Sequence, residues 1–100
     1  MFGLIVRFEL RDVESAAGFD LLVSETVPEI QSKEPGTAIY AVHSVQDAPL
    51  SRVFYELYAS REAFEAHEEQ PHTRRFLAER EQYLTDTRVE FVGSPVGKGV

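Results

Sequence analysis

Three residues of this chain are suited to moving a proton: His67, Glu56 and Tyr58. His67 shares a helical stripe with Ala63 and Phe64, so it turns inward and away from solvent. A neutral imidazole in that setting accepts a phenolic proton near neutral pH. The competing reading is a core histidine bonded to a backbone carbonyl or to Glu56. Glu56 and Tyr58 lie two apart on one strand and share a face. If that face lies under the helices, Glu56 orients His67 and Tyr58 hydrogen-bonds a substrate oxygen. Otherwise Glu56 is a buried carboxylate paired with Arg7 or Arg52, and Tyr58 simply packs.

Other residues can shape a site around them. His72 follows Pro71 at a break between helical segments and can line a pocket mouth, or be solvated there. Phe54 and Phe64, with Phe8, Phe19 and Phe76, set the volume of an apolar pocket. Arg7, Arg52 and Arg74 can hold an anionic substrate, although Arg74 suits a surface salt bridge better. A metal site has the right atom types in His43, His67, His72 and Glu56. The nearest histidine pair, His67 and His72, is spaced by five, whereas helical ligands favour three or four. No native metal is therefore expected.

These residues need elements to hold them. Phe2 to Leu10 reads as a strand with Leu4, Val6, Phe8 and Leu10 on one face. Asp12 is a plausible N-cap for a helix carrying Phe19, Leu22, Val23, Thr26 and Ile30. Pro28 predicts a kink or a restarted last turn. Glu34-Pro35-Gly36 reads as a turn, followed by a strand over Thr37 to Val45. Gln46 to Ser51 reads as a hairpin loop, with a third strand from Arg52 to Ala59. Ser60 caps a second helix, Pro71 opens a fresh segment, and Phe76, Leu77, Arg80, Tyr83 and Leu84 continue its inward face. Thr87 to Val92 is a fourth strand and residues 93–100 a tail. The order is βαββαβ: an α+β, ferredoxin-like chain with a four-stranded antiparallel sheet and two helices on one face.

The chain has 100 residues, which fits a single domain over 1–100 with its core in about 2–92. Two helices cover only one face of the sheet, yet both faces carry large apolar residues. A free face with Ile39, Val53, Tyr55 and Leu57 calls for a second sheet, and hence a homodimer formed face to face, with His43 in the interface.

Composition excludes several classes. The formal net charge is −7, and the densest basic spot, Arg74-Arg75, is flanked by Glu68, Glu69 and Glu79. No nucleic-acid or anionic-membrane partner is expected. The absence of cysteine excludes disulfides, thiolate metal sites and cysteine nucleophiles. The N-terminal apolar run ends at Arg7 without a basic leader or cleavage site, and no run spans a membrane, so a cytoplasmic location is the expectation. No glycine-rich phosphate loop, dinucleotide fingerprint or nucleophile elbow appears.

Four segments in order resemble one family. Glu34-Pro35-Gly36, with Tyr40 on the next strand, resembles its EPG turn. Phe54-Tyr55-Glu56-Leu57-Tyr58 resembles its F-Y-E-x-W strand, with Tyr58 where Trp is usual. Glu62-Ala63-Phe64-Glu65-Ala66-His67 resembles its E-A-x-x-x-H helix. Pro71-His72 and Phe76 resemble its P-H-F segment, with Thr73 where Phe is usual. The chain is thus similar to the antibiotic-biosynthesis-monooxygenase, or quinol-monooxygenase-like, family of dimeric α/β barrels over about residues 2 to 92.

The resemblance implies a cofactor-independent monooxygenase of a small aromatic, polyketide-like or quinol substrate. Such an enzyme uses dioxygen as co-substrate and no metal, flavin or haem. His67 is then the base, with Glu56 and Tyr58 in the catalytic group and His72, Phe64, Phe54 and Arg7 against the substrate. The haem-degrading branch is disfavoured. The chain has no Trp, Leu77 lies near the expected ligand position, and the first strand offers Arg7 and Glu9 where that branch has Asn. The fold hosts several chemistries, so two readings stay open: an isomerase of a small carbonyl compound, and a non-catalytic small-molecule-binding dimer.

Overall fold

The computed structural model describes residues 1–100. Strand β1 (Phe2–Leu10) is followed by helix α1 (Val13–Lys33), strands β2 (Thr37–Val45) and β3 (Ala48–Tyr58), helices α2 (Arg61–Glu69) and α3 (Pro71–Glu79), and strand β4 (Leu84–Val92). The strands form one antiparallel sheet in the order β2-β3-β1-β4, the ferredoxin-like arrangement. The helices pack on a single face of it. No helix is long and apolar enough to cross a membrane.

The core follows from strand alternation. Leu4, Val6, Phe8 and Leu10 are all buried and point at the helices, while Ile5 and Arg7 point away. Helix α1 answers with Ala16, Phe19, Leu22, Thr26 and Ile30 at spacings of three and four. Phe8, Phe19 and Phe54 meet at the centre, with ring centroids 4.8–5.9 Å apart. Burying each such ring contributes about 1.5–3 kcal/mol.

The caps act as their sequences predict. The Asp12 side chain accepts from the Ser15 amide at 2.7 Å, and the Ser60 hydroxyl from the Ala63 amide at 3.1 Å. Pro71 begins α3 at a break from α2, where Gln70 is extended. The second helical stretch is therefore two helices.

Four expectations are corrected. Helix α1 is one element through Pro28, which lies on its exposed side, where water can serve the Ser24 carbonyl left without a donor. The β2–β3 loop shrinks to Gln46 and Asp47, with Asp47 at a left-handed φ of 61°. Strand β3 takes in Pro49 because its pairing with β1 ends at Ser51, so Pro49 has no neighbour on that side to miss an N–H. Leu84 is not helical: a short 3-10 turn over Arg80–Tyr83 ends the helix, and buried Leu84 opens β4 beside Leu10. Residues 93–100 form no regular element.

Candidate active site

Between α2, α3 and the sheet lies a cavity of about 140 Å³. Its floor is Leu4, Val6, Phe8 and Phe54, and its open side is the β4 edge at Val89 and Phe91. Phe91 is 63% exposed there. Six side chains with polar groups line this largely apolar space: Tyr40, Glu56, His67, Glu68, Thr73 and Arg80.

His67 sits on α2, seven residues after its Ser60 cap, and is buried. Its ring lies between Tyr40 and Tyr58, at centroid distances of 5.6 and 5.2 Å. The Nδ1 atom is 2.6 Å from Glu34 Oε1, with Thr73 Oγ1 at 3.4 Å. The other nitrogen, Nε2, has no protein partner. Burial lowers the pKa of His67, opposed by the negative charge and hydrogen bond of Glu34. The imidazole is therefore neutral near pH 7 and held in one orientation.

The partner that orients His67 is Glu34, in place of the expected Glu56. Glu34 ends α1 and starts the Glu34–Thr37 turn, in which the Thr37 amide donates to the Glu34 carbonyl at 3.1 Å. Pro35 suits the second position of such a turn. Gly36 is required by packing: a Cβ there would lie 2.7 Å from the Ala63 Cβ on α2. The turn thus seats α2 closely and aims Glu34 at the ring one turn further along. The other Glu34 oxygen, Oε2, bonds His72 Nε2, and Thr37 Oγ1 donates to Oε1 at 2.8 Å. Each carboxylate oxygen is taken by one imidazole, so these groups do not converge on a common point, and no cluster of three or more such residues is disposed to hold a metal ion.

Glu56 lies on the inner face of β3 and lines the cavity. Burial pushes its pKa up to about 7, against the hydrogen bond from Tyr58 and the charge of Arg80. Tyr58 is fully buried and donates to Glu56 Oε1 at 2.6 Å. Its hydroxyl is thus committed to Glu56, and it does not line the cavity as expected. The phenol that does is Tyr40, whose hydroxyl has no protein partner and whose pKa is raised by burial and by Glu56 and Glu34.

Arg80 closes the site. Its guanidinium carbon lies 5.3 Å from the Phe8 ring centroid and 5.7 Å from that of Phe76. Its Nε is buried without a hydrogen-bond partner. Burial lowers the pKa of Arg80, yet a guanidinium stays charged. Glu81 Oε1 lies 3.8 Å from that Nε, beyond hydrogen-bond reach, so a buried cation donor without a hydrogen bond remains at the apolar cavity, a place for a negatively charged ligand atom.

The remaining expectations divide. Phe54 and Phe64 line the cavity. His72 does not; it lines a shallow surface pocket between α1 and α3 with Glu29, Lys33 and Arg75. Arg7 is on the opposite face of the sheet, bonded to Glu9 at 2.7 Å and Ser51 at 3.2 Å, and does not reach the cavity. Arg52 makes a two-pronged pair with Asp20 at 2.9 Å, and Arg74 pairs with Glu69 at 2.6 Å. Glu34, Tyr40 and Arg80 are the site residues that sequence reasoning missed. For Arg80 a signal was available, since a charged residue on an inward helical face needs a reason.

The chain is thus a ferredoxin-like α+β domain with a histidine-walled, largely apolar cavity between helices and sheet. The chain belongs to the antibiotic biosynthesis monooxygenase family, whose sequence profile matches residues 1–79. Solved structures agree in fold. Rv0793 from Mycobacterium tuberculosis is 23% identical with a TM-score of 0.86, covering 99% of this chain and 98% of that one. An antibiotic biosynthesis monooxygenase is 22% identical with a TM-score of 0.85, covering 96% and 100%. A candidate member from Caulobacter crescentus CB15 is 18% identical with a TM-score of 0.87, covering 95% and 90%. A comparison with curated proteins gives no match.

Proposed function

We propose that the protein is a cofactor-independent monooxygenase of a small ionisable aromatic, of the phenol, polyketide or quinol kind, with dioxygen as co-substrate. The observation that carries this reading is His67: a buried, neutral imidazole, fixed through Nδ1, with Nε2 free at an apolar cavity. Family membership supports the reaction class. A cavity of roughly 150 Å³ accommodates a benzene ring, so the space of about 140 Å³ suits one aromatic ring, with a second ring emerging past Phe91.

His67 Nε2 takes the proton of the bound hydroxyl. The resulting anion is held by Arg80, with Tyr40 and protonated Glu56 as neutral donors. That electron-rich anion passes an electron to dioxygen, and the radical pair joins as a carbon–peroxide bond in the water-poor cavity; loss of the ring C–H proton with cleavage of the O–O bond then leaves a quinone-type carbonyl and water. Tyr58 acts through Glu56, keeping its carboxyl turned toward the ligand. A quinol panel incubated under dioxygen with wild type and His67→Ala tests the role of His67; equal rates in both would overturn it.

Glu56 favours a second reading. An acid with a pKa of about 7 beside a neutral base can move a proton from one carbon to another, as an isomerase of a small carbonyl compound would. Turnover that persists without oxygen selects that reading. Tight binding without product, indifferent to His67→Ala, selects a non-catalytic binding module.

The outer sheet face supports a homodimer. Ile5 is 39% exposed there, and Ile39, Val53 and Tyr55 are half-buried around it. Leu57, expected to join them, is already buried within the protomer beside Gly3, so the patch is smaller than the sequence suggested.

A further inference from the structure

We propose that Glu34 and His72 form a proton relay carrying the proton taken up at His67 from the cavity to solvent. The proposal rests on the reading of His67 as the base. Orienting His67 needs one carboxylate oxygen, and Oε1 supplies it. A second histidine, from a different helix, on the other oxygen is not needed for that purpose. The side chains of His67, Glu34 and His72 are only 7%, 4% and 9% exposed. With the cavity filled by substrate, the proton has no aqueous exit through the middle of this chain. Its two ends do open: His67 on the cavity wall, His72 on the surface pocket between α1 and α3. Glu25, Glu29 and Lys33 from α1 and Arg75 from α3 surround that outlet, and Glu68 from α2 lies beside the inlet.

The transfer balances as follows. The relay starts from ionised Glu34, with the His67 proton on Nδ1 and a proton on each nitrogen of His72, the one on Nε2 donated to Oε2. The substrate proton arrives at His67 Nε2. The Nδ1 proton moves to Oε1 and the His72 Nδ1 proton leaves to water, so His67 is neutral again and the Glu34–His72 ion pair becomes a neutral pair. One proton enters, one leaves, and the summed charge of the three groups is unchanged. A proton returning later in the cycle resets the chain.

The test reads exchange of the His67 Nδ1 proton with water by NMR on ¹⁵N-histidine-labelled, ligand-free protein. His72→Gln keeps a polar contact to Oε2 but cannot pass a proton across its side chain. Exchange should slow at least tenfold in this variant and recover on adding free imidazole. His72→Asn should behave alike and serves if the first variant does not fold. Exchange as fast as wild type in either folded variant overturns the relay. A second arm uses any quinol that wild type turns over. There His72→Gln should lower kcat at least tenfold with KM unchanged and imidazole restoring the rate. Wild-type kcat in His72→Gln, with His67→Ala inactive, overturns the relay and leaves the oxygenase reading standing. If no quinol is turned over, that reading fails, and the exchange rates still decide the relay.

Discussion

Glu34 holds His67 across 33 positions of sequence, through a 2.6 Å contact between its Oε1 and the ring Nδ1. One residue closes α1 and the other rides on α2, so the bond also ties these two helices together at the site. It fixes which ring nitrogen faces the cavity.

Glu34→Gln should lower the titration midpoint of His67. Burial already depresses that pKa, and the Glu34 charge and hydrogen bond are what oppose the depression. Ring-proton shifts followed by NMR against pH check this. A midpoint unchanged or raised would mean that Glu34 does not set the electrostatics of His67.

Stability should fall on the alkaline side because of Glu56. Folding raises its pKa from 4.5 to about 7, so the folded state binds the extra proton between those values. The contribution is fully present below about pH 4.5 and is lost as pH rises through about 7. A shift of that size corresponds to about 3 kcal/mol. Glu56→Gln still accepts from Tyr58 but cannot ionise, so urea midpoints from pH 5 to pH 8 should lose this slope. His67 acts in the other direction. Its folded pKa is depressed, so its contribution is lost as pH falls below the ordinary value of 6.5.

Gly36→Ala should disturb the site from outside it. The new methyl would meet the Ala63 Cβ at 2.7 Å, so α2 must shift away from the turn. A loss of about 1–3 kcal/mol is expected from such overpacking. His67 ring shifts should move as well. A variant with wild-type stability and an unmoved His67 spectrum would contradict the close seating of α2 on this turn.

The sheet face opposite the helices should bury itself in a second copy. Sedimentation at micromolar concentration should give a dimer, and Ile5→Glu with Val53→Glu should give a monomer. A wild-type monomer would contradict the dimer.

Much of this architecture was legible because it is periodic. Alternation in Leu4, Val6, Phe8 and Leu10 gave the inner face of β1, and Ser60 and Pro71 marked where the second helical stretch begins and divides. His67 was legible for the same reason, as part of a helical stripe. Glu34 was not. It sits in a turn, where sequence speaks of backbone geometry, and its partner is remote in the chain. Glu56 and Tyr58 were rightly placed on one face, but their choice of each other over His67 depends on side-chain reach. Arg7 and Pro49 mark another limit, because which sheet face binds and where a strand loses its neighbour are tertiary facts.

The most direct test of the central claim is whether the cavity ionises its ligand through His67. A phenol or quinol bound under argon can be followed by its ultraviolet absorption, which shifts to longer wavelength in the anion. Wild type at pH 7 should bind the ligand as its anion, and His67→Ala should bind it as the neutral phenol. The same neutral spectrum in both proteins, or the same anion in both, would contradict the account.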